Sequence, residues 1–597
     1  MNNKMAAISN KPVYWFFRGI ALVYIVGLGV FFGRGFDITD ESFYLLNYRH
    51  WSEFAGGVSF FGAYLAIPYY LLGESIRAIR FFGLVMLMAG AYFFALELFK
   101  QLSISEPNAN YIKVGATAVS CAAVTFYSVF GTIYSPGYNL LNLVLMLFSA
   151  GLLLRISRKT GTNTAIYFLY GIAMGAIFFT KFPSFFTTLA AHFLMVALIR
   201  VNAKWGVLAR LLVAILAGML VNYGYLALQA GNILKMISVG MENGALLNPR
   251  DVTKDTVNLF IRDIPDFVSA GTAQLLRVIV PAVAFAGLVL LLVKRMKIWT
   301  DWSAILVIAI TFGPQGFLSS RYLLNGSTWT AIGLLGIICL FGFLKKNNYS
   351  LSSLIKGILL AVIVALLPVA HSFGTGNSVQ LAVGMGVVFP IAVCIGLLIV
   401  LRSEKLIGQW AFFICLAIIA IAPLFLISKQ WTQADKTYRL STGLDGQNIN
   451  VRIGNAVVAV DDKSARAFEE FRTILREQGY KEGTHIIDMT GSPGLVLVAN
   501  GRPLGSAWMS VGYSGSDAVA LRLFEHHVKA EDIKSAWILS TPMPKAGLDW
   551  AGIMRQVLGS VPFKKAGSFC LPVTEGNNSC DSAGGLSTTI EVWAPLQ

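Results

Sequence analysis

Charge is what this 597-residue chain has least of: 13% of its residues are Asp, Glu, Lys or Arg, against 56% hydrophobic ones, and mean hydropathy is +0.65. So little charge excludes an ordinary water-soluble globule and indicates a polytopic membrane protein. Metal-ligating patterns are equally sparse. The six cysteines and six histidines form no CxxC and no Cys/His cluster, which argues against structural zinc. Cys121, Cys339, Cys394 and Cys415 lie in apolar runs, where a lone Cys behaves as a small core residue. No repeat of about 20 to 50 residues stands out. A small-residue cleavage site before Arg34 is also missing, so the apolar run from Val13 reads as an uncleaved first membrane helix.

The net charge of +16 would suggest a nucleic-acid partner in a soluble protein, but its position along the chain gives another meaning. Residues 1–428 hold 30 Lys and Arg and 14 Asp and Glu, whereas residues 429–597 hold 17 of each. Apolar stretches long enough to span a bilayer as helices begin near Val13, Ile76, Tyr111, Tyr138, Ala165, Ser184, Val207, Val278, Trp302, Ser327, Leu354, Val379 and Gln409, which predicts about thirteen spans. With the N-terminus in the cytoplasm, 19 of the 30 basic residues and only 4 of the 14 acidic ones fall on that side, as the positive-inside rule expects. The excess therefore reports orientation, and no nucleic-acid partner is expected. Acid/base chemistry is expected on the external face, where the carboxylates gather.

The expected fold is a polytopic α-helical membrane domain, residues 1–428, followed by an external soluble α/β domain, residues 429–597. Two external loops are long, residues 35–75 and 229–273. In the first, Phe43, Tyr44, Leu46, Tyr48 and Trp51 alternate with Asn47, Arg49 and His50, the pattern of an amphipathic helix lying at the membrane interface. In the tail, helices are expected at 463–478, 516–527 and 547–558, and strands at 485–489, 495–499, 536–540, 566–570 and 588–594. Cys570 and Cys580 are expected to form a disulfide, because an external tail meets an oxidising compartment.

The strongest local feature is Asp37-Ile38-Thr39-Asp40-Glu41-Ser42-Phe43-Tyr44, just after the first span. Adjacent carboxylates at a membrane surface are costly unless they bind a metal, pair with cations or hold a proton. A helix N-terminus with Thr39 or Asp40 as its cap explains them as well.

At these residues the chain resembles a known family. Asp40-Glu41 with the following Ser-Phe-Tyr-Leu-Leu-Asn-Tyr-Arg-His-Trp, then Gly73-Glu74-Ser75-Ile76-Arg77-Ala78-Ile79-Arg80, is similar to the first external loop of GT-C glycosyltransferases. Protein mannosyltransferases and bacterial lipid A aminoarabinose transferases are the nearest groups. Gly171-x3-Gly175-x4-Thr180-Lys181-Phe182-Pro183 extends the resemblance, which covers about the first 200 residues. It implies a multi-span enzyme of the bacterial inner membrane that moves a sugar from a polyprenyl-phosphate-linked donor, usually with inversion, to a glycan, lipid or protein acceptor. Cell-envelope glycans of the lipopolysaccharide or O-antigen type are among these. The resemblance implies that Asp40 is the general base and that Glu41 orients the acceptor or helps to bind a divalent metal, the one cofactor it leaves open. One departure stands out: where the family often has Thr-Pro-Asp, this chain has Tyr134-Ser135-Pro136-Gly137-Tyr138-Asn139, which puts a second acidic role in doubt.

A lipid-phosphate donor requires cations. Lys181 is the first candidate and Arg321 the second, with Arg77 and Arg80 weaker; a snorkelling side chain accounts for Lys181 as an alternative. Asn139 is suited to hydrogen-bond a sugar and Tyr138 to stack on one, or simply to line the interface. His371 and Asn377, in a polar turn on the external side, are suited to cradle a sugar or phosphate, or are plain turn residues. Asp488-Met489-Thr490-Gly491 is a weak candidate ligand loop, and Glu525-His526-His527 reads as a solvated helix end. The alternative function is a transporter or lipid-linked-sugar flippase, although the near absence of charge at helix centres speaks against it.

Overall fold

The computed structural model describes residues 11–102, 109–129, 134–158, 163–199, 204–247, 351–374, 384–404, 408–433, 439–542 apart from 510, 512 and 514, 548–572 and 587–596. The N-terminal part is helical. α1 (Lys11–Phe31) leads into two helices of the first long loop, α2 (Asp40–His50) and α3 (Phe61–Leu71). There follow α4 (Ile76–Leu102), α5 (Ala109–Ala123), α6 (Tyr138–Arg158), α7 (Thr164–Thr180), α8 (Phe182–Ile199), α9 (Lys204–Ala230) and α10 (Ile233–Leu247). Beyond the undescribed stretch come α11 (Leu351–Ser372), α12 (Val388–Ser403) and α13 (Gln409–Thr432).

Among the described residues, seven helices are long and apolar enough to cross a membrane: α1, α4, α6, α8, α9, α11 and α13, with α7 and α12 shorter and apolar. The chain is thus a multi-pass helical membrane protein. The spans expected from Val278, Trp302 and Ser327 lie outside the described residues, so thirteen remains an expectation.

Small residues set the closest packing. An added Cβ at Gly171 of α7 would lie 1.8 Å from the Ala214 carbonyl oxygen of α9, and one at Gly218 would lie 2.0 Å from the Gly171 carbonyl oxygen. The glycines of the Gly171-x3-Gly175 motif thus let two apolar helices touch backbone to backbone, where dispersion rather than water release holds them. Lys181 interrupts the helical path between α7 and α8 at φ −154°. Pro183 then sits in the first turn of α8, where its missing N–H costs nothing.

The tail is an α/β module. A hairpin of β1 (Ile449–Ile453) and β2 (Ala456–Val460) precedes α14 (Asp462–Glu477). Asp461 caps α14 by accepting from the Ser464 N–H at 3.0 Å, and Ala467, Phe468, Phe471 and Leu475 are its buried stripe. Next come β3 (His485–Asp488), α15 (Gly494–Val498), β4 (Arg502–Pro503), α16 (Ser516–His526), α17 (Ala530–Ser535), β5 (Trp537–Ser540), α18 (Trp550–Leu558), β6 (Phe563–Pro572) and β7 (Ser587–Pro595). The sheet order is β4-β3-β5-β7-β6, with β3 parallel to β4 and β5 and with β7 antiparallel to β5 and β6.

Two expectations are corrected. Residues 495–499 are not a strand: the Leu-Val-Leu-Val run follows Pro493 and closes a buried helical turn, with Val496 N–H bonded to Pro493 O at 3.1 Å. A short apolar run buried on every side carries no periodicity to separate the two. The first loop is also not one interfacial amphipathic helix. Glu41, Ser42, Tyr44, Leu45, Leu46, Asn47 and Tyr48 of α2 are all buried, because the bundle covers one side and the tail another.

The tail is joined to the membrane part by backbone pairing. Gly35 N–H bonds Ala459 O at 2.8 Å, Ala459 N–H bonds Gly33 O at 2.9 Å, and Gly494 N–H bonds Ile38 O at 2.8 Å. One apolar core runs from Tyr44, Leu45 and Phe61 to Phe468, Phe471 and Leu495. Arg502 adds an ion pair to Glu53 at 2.9 Å, and Arg522 pairs with Glu242.

Candidate functional site

The turn entering α2 is built around Asp37. Its carboxylate accepts from the Thr39 hydroxyl at 2.8 Å, the Thr39 N–H at 3.3 Å and the Glu41 N–H at 3.0 Å. Asp37, rather than Thr39 or Asp40, therefore supplies the side-chain cap, satisfying amides that the helix leaves open. Burial pushes the Asp37 carboxyl up to about 6, and the nearby Asp40 charge adds to the shift.

Glu41 and Asp40, adjacent in sequence, have opposite surroundings. Glu41 is 0% exposed; Arg80 of α4 donates to it twice, Nε to Oε1 at 2.8 Å and Nη2 to Oε2 at 2.6 Å, and Ser135 Oγ donates to Oε1 at 2.6 Å. Arg80 also donates to the carbonyls of Phe32, Arg34 and Gly35. Two buried charges are thus neutralised by a bidentate pair within a shell of hydrogen bonds. The acceptor-orienting or metal-binding role expected of Glu41 does not fit this geometry, nor does the phosphate role considered for Arg80. Arg77 turns to Gly29 O at 3.1 Å.

Asp40 is 37% exposed. Arg439 of the tail lies 3.5 Å from its Oδ2 and donates to Thr39 Oγ1. Asp40 also acts electrostatically on Tyr44 and Tyr138, so both rings lie near it.

Three other expected residues meet. Lys181, 4% exposed, donates from Nζ to Asn139 Oδ1 at 3.1 Å and to the His371 carbonyl at 2.5 Å. His371 Nε2 lies 3.0 Å from Asn139 O. Lys181 at the α7–α8 junction, Asn139 at the start of α6 and His371 at the end of α11 are thereby one cluster. Tyr138, next to Asn139, packs its ring against Tyr44 with centroids 6.2 Å apart, and this links the lysine cluster to the Asp40 turn. Lys181 points inward rather than snorkelling outward.

The Tyr134–Asn139 segment is fixed along its length. Tyr48 donates to Pro136 O, and Tyr134 donates to Gln430 Oε1 at 2.5 Å. An added Cβ at Gly137 would lie 2.5 Å from the Tyr44 ring, so an aromatic ring closes over this backbone position. Among the described residues, no group of three or more His, Cys, Asp or Glu side chains gathers. Asp37 is engaged by its own turn, Glu41 by Arg80, and Asp40 is faced by a guanidinium. A divalent metal at Asp40 and Glu41 would have to displace Arg80 from Glu41 and draw Asp40 away from Arg439.

Arg321 and Asn377 lie outside the described residues. So does Cys580, while Cys570 in β6 is disulfide-bonded. Asp488 folds onto its own loop, accepting from Thr490 Oγ1 at 2.5 Å and from its N–H at 2.9 Å. His526 is solvent-facing at the end of α16. Sequence reasoning missed Arg439, for which no local signal exists, and Ser135. Asp37 was passed over as the cap because it stands two residues before Thr39, the position at which a cap is sought.

No family model matches the chain, and no curated protein matches it. Among solved structures, the Archaeoglobus fulgidus oligosaccharyltransferase tethered to an acceptor peptide is 12% identical, with TM-score 0.42, over 89% of this chain and 68% of that one. The same enzyme with Zn and sulfate is 13% identical, with TM-score 0.41, over 88% of this chain and 66% of that one. ArnT from Cupriavidus metallidurans bound to undecaprenyl phosphate is 11% identical, with TM-score 0.38, over 96% and 97% of the two chains.

Proposed function

We propose that the protein is a GT-C type glycosyltransferase that moves a sugar from a polyprenyl-phosphate-linked donor to an acceptor hydroxyl on the external face of the membrane. The observation that carries this reading is the meeting of Lys181, Asn139 and His371, far apart in sequence, in one cluster that Tyr138 and Tyr44 link to the Asp40 turn. A buried lysine cluster linked through Tyr138 and Tyr44 to the turn that carries a part-exposed carboxylate matches the needs of the transfer. The acceptor hydroxyl gives its proton to Asp40. Its oxygen forms a bond to the anomeric carbon, and the bond from that carbon to the phosphate oxygen breaks. The electron pair leaves with the lipid phosphate, whose charge Lys181 stabilises. Asn139 and His371 hold the ammonium in place, and Tyr138 offers a face to the sugar.

In this reading the donor is a lipid phosphate, the acceptor is a glycan, lipid or protein of the cell envelope, Asp40 is the base, and a Cys570–Cys580 bond braces an external tail. The test is sugar transfer by purified protein from synthetic polyprenyl-phosphate-linked sugars to candidate acceptors. Asp40→Asn is expected to lower turnover by about 10²- to 10⁴-fold with unchanged thermal melting. Full activity in that variant overturns the base assignment, and substrate-dependent flux without a covalent product points to a transporter instead.

A further inference from the structure

We propose that Arg439, a residue of the tail, is a positioning residue for Asp40, so that the carboxylate is held in its working orientation only when the tail is seated. The inference rests on the glycosyl-transfer reading above. Arg439 reaches across the junction from the chain that follows α13, lying 3.5 Å from Asp40 Oδ2 while donating through the same nitrogen to Thr39 Oγ1. Thr39 Oγ1 in turn donates to Asp37 Oδ1 at 2.8 Å, and the other Asp37 oxygen accepts from the Glu41 N–H at 3.0 Å. One guanidinium therefore ties Asp40 to the capping turn that sets the start of α2.

The backbone supports a built feature. Arg439 has φ +54°, one of three non-glycine residues in the left-handed region among the described residues. Such a conformation crowds the Cβ against the backbone of any residue but glycine, and it persists where surrounding contacts over-determine it.

The other arginines around α2 are committed elsewhere: Arg80 to Glu41, Arg49 to Glu74 at 2.5 Å, and Arg34 to the carbonyls of Leu444 and Gln447 at 3.1 and 3.3 Å. Among the described residues, Asp37 from the preceding turn, Tyr44 from its own helix and Tyr138 from α6 also lie within electrostatic reach of Asp40. The Asp40–Arg439 pair is about one third exposed on each side, open enough for an acceptor hydroxyl to approach. Arg439 places its charge beside Oδ2 and so biases the orientation of the carboxylate that takes the acceptor proton.

The experiment compares full-length wild type, Arg439→Gln, Arg439→Lys and Asp40→Asn, with a synthetic polyprenyl-phosphate-linked hexose on which the wild type turns over. Arg439→Gln is expected to lower kcat by about 10- to 100-fold, as loss of a charge-assisted hydrogen bond does, with donor KM and thermal melting unchanged. Arg439→Lys is expected to recover part of the loss. A raised donor KM with wild-type kcat would make Arg439 a phosphate ligand and overturn the inference. Wild-type values for both constants overturn it too, as does a loss of kcat that tracks a drop in melting temperature and is equal in the lysine variant. An active Asp40→Asn brings down the base assignment itself, whereas an inactive Asp40→Asn beside an unaffected Arg439→Gln removes only the positioning role.

Discussion

The two sides of α2 carry the same chemistry to different ends. Toward the bundle, Glu41 is wholly enclosed and engaged by Arg80 and Ser135, while toward the tail Asp40 remains over one third exposed beside Arg439. Consecutive residues on a helix are separated by about 100° of rotation, and that rotation sends one carboxylate into a closed ion pair and leaves the other part-exposed beside Arg439. The contrast teaches that pairing by itself does not mark function. A buried pair with every oxygen bonded organises the fold, whereas a half-open pair can still meet a substrate.

The largest test of this contrast is stability. Glu41→Ala leaves the Arg80 charge buried and unpaired, and is expected to cost about 3–5 kcal/mol. Asp40→Ala, losing a half-exposed pair, is expected to cost about 1 kcal/mol or less. Thermal melting of the two variants in the same detergent measures the difference, and equal midpoints would erase the distinction between the two sides.

The next largest effect separates the lysine cluster from the base. Lys181→Met is expected to raise the KM for lipid-linked donor by about tenfold or more, the size of a lost hydrogen bond to a charged group, with less change in acceptor KM. Steady-state kinetics with each substrate varied in turn checks this. An unchanged donor KM removes Lys181 from the donor site.

Smaller still is Gly137→Ala. The added methyl group meets the Tyr44 ring, and relieving the overlap is expected to cost about 1–3 kcal/mol, read as a lower melting midpoint and a loss of activity out of proportion to it. Wild-type values for both would show that Tyr44 moves freely.

A further effect is a pH slope. The Asp37 carboxyl is raised to about 6 in the folded chain, first by burial and then by Asp40, so the fold binds its proton more tightly than the unfolded chain does. The stability this gives is full below the ordinary carboxyl value of about 4 and is lost as pH rises through about 6. Asp37→Asn is expected to flatten the wild-type decline in melting temperature between pH 4 and pH 6. The decline persists in part, because Asp488, raised by burial to about 6 as well, adds the same sign. An unchanged slope would show that Asp37 does not titrate there.

Much of the fold was readable without coordinates, and the reasons are physical. Long apolar runs can satisfy their backbone in lipid only as helices, so α1, α4, α6, α8, α9, α11 and α13 stand close to where hydropathy puts them. The helical spacing of Phe468, Phe471 and Leu475 likewise matches the buried stripe of α14. What failed was short or double-sided. Leu495–Val498 has no periodicity, and α2 looks amphipathic only if one of its sides faces lipid. At the site, Asp40, Lys181, Asn139 and His371 were separate candidates in the sequence, each with a bland alternative.

The sequence by itself determined the class of the molecule, a multi-pass helical membrane protein, and the uneven distribution of charge, because hydropathy and charge act locally along the chain. Only the tertiary structure decided which carboxylate of the Asp40-Glu41 pair is closed and which is open. It also decided that Lys181, Asn139 and His371 form one cluster, and that Arg439 returns from the tail to Asp40. Those outcomes depend on contacts between residues up to about four hundred positions apart, where long-range packing selects partners that no local pattern encodes.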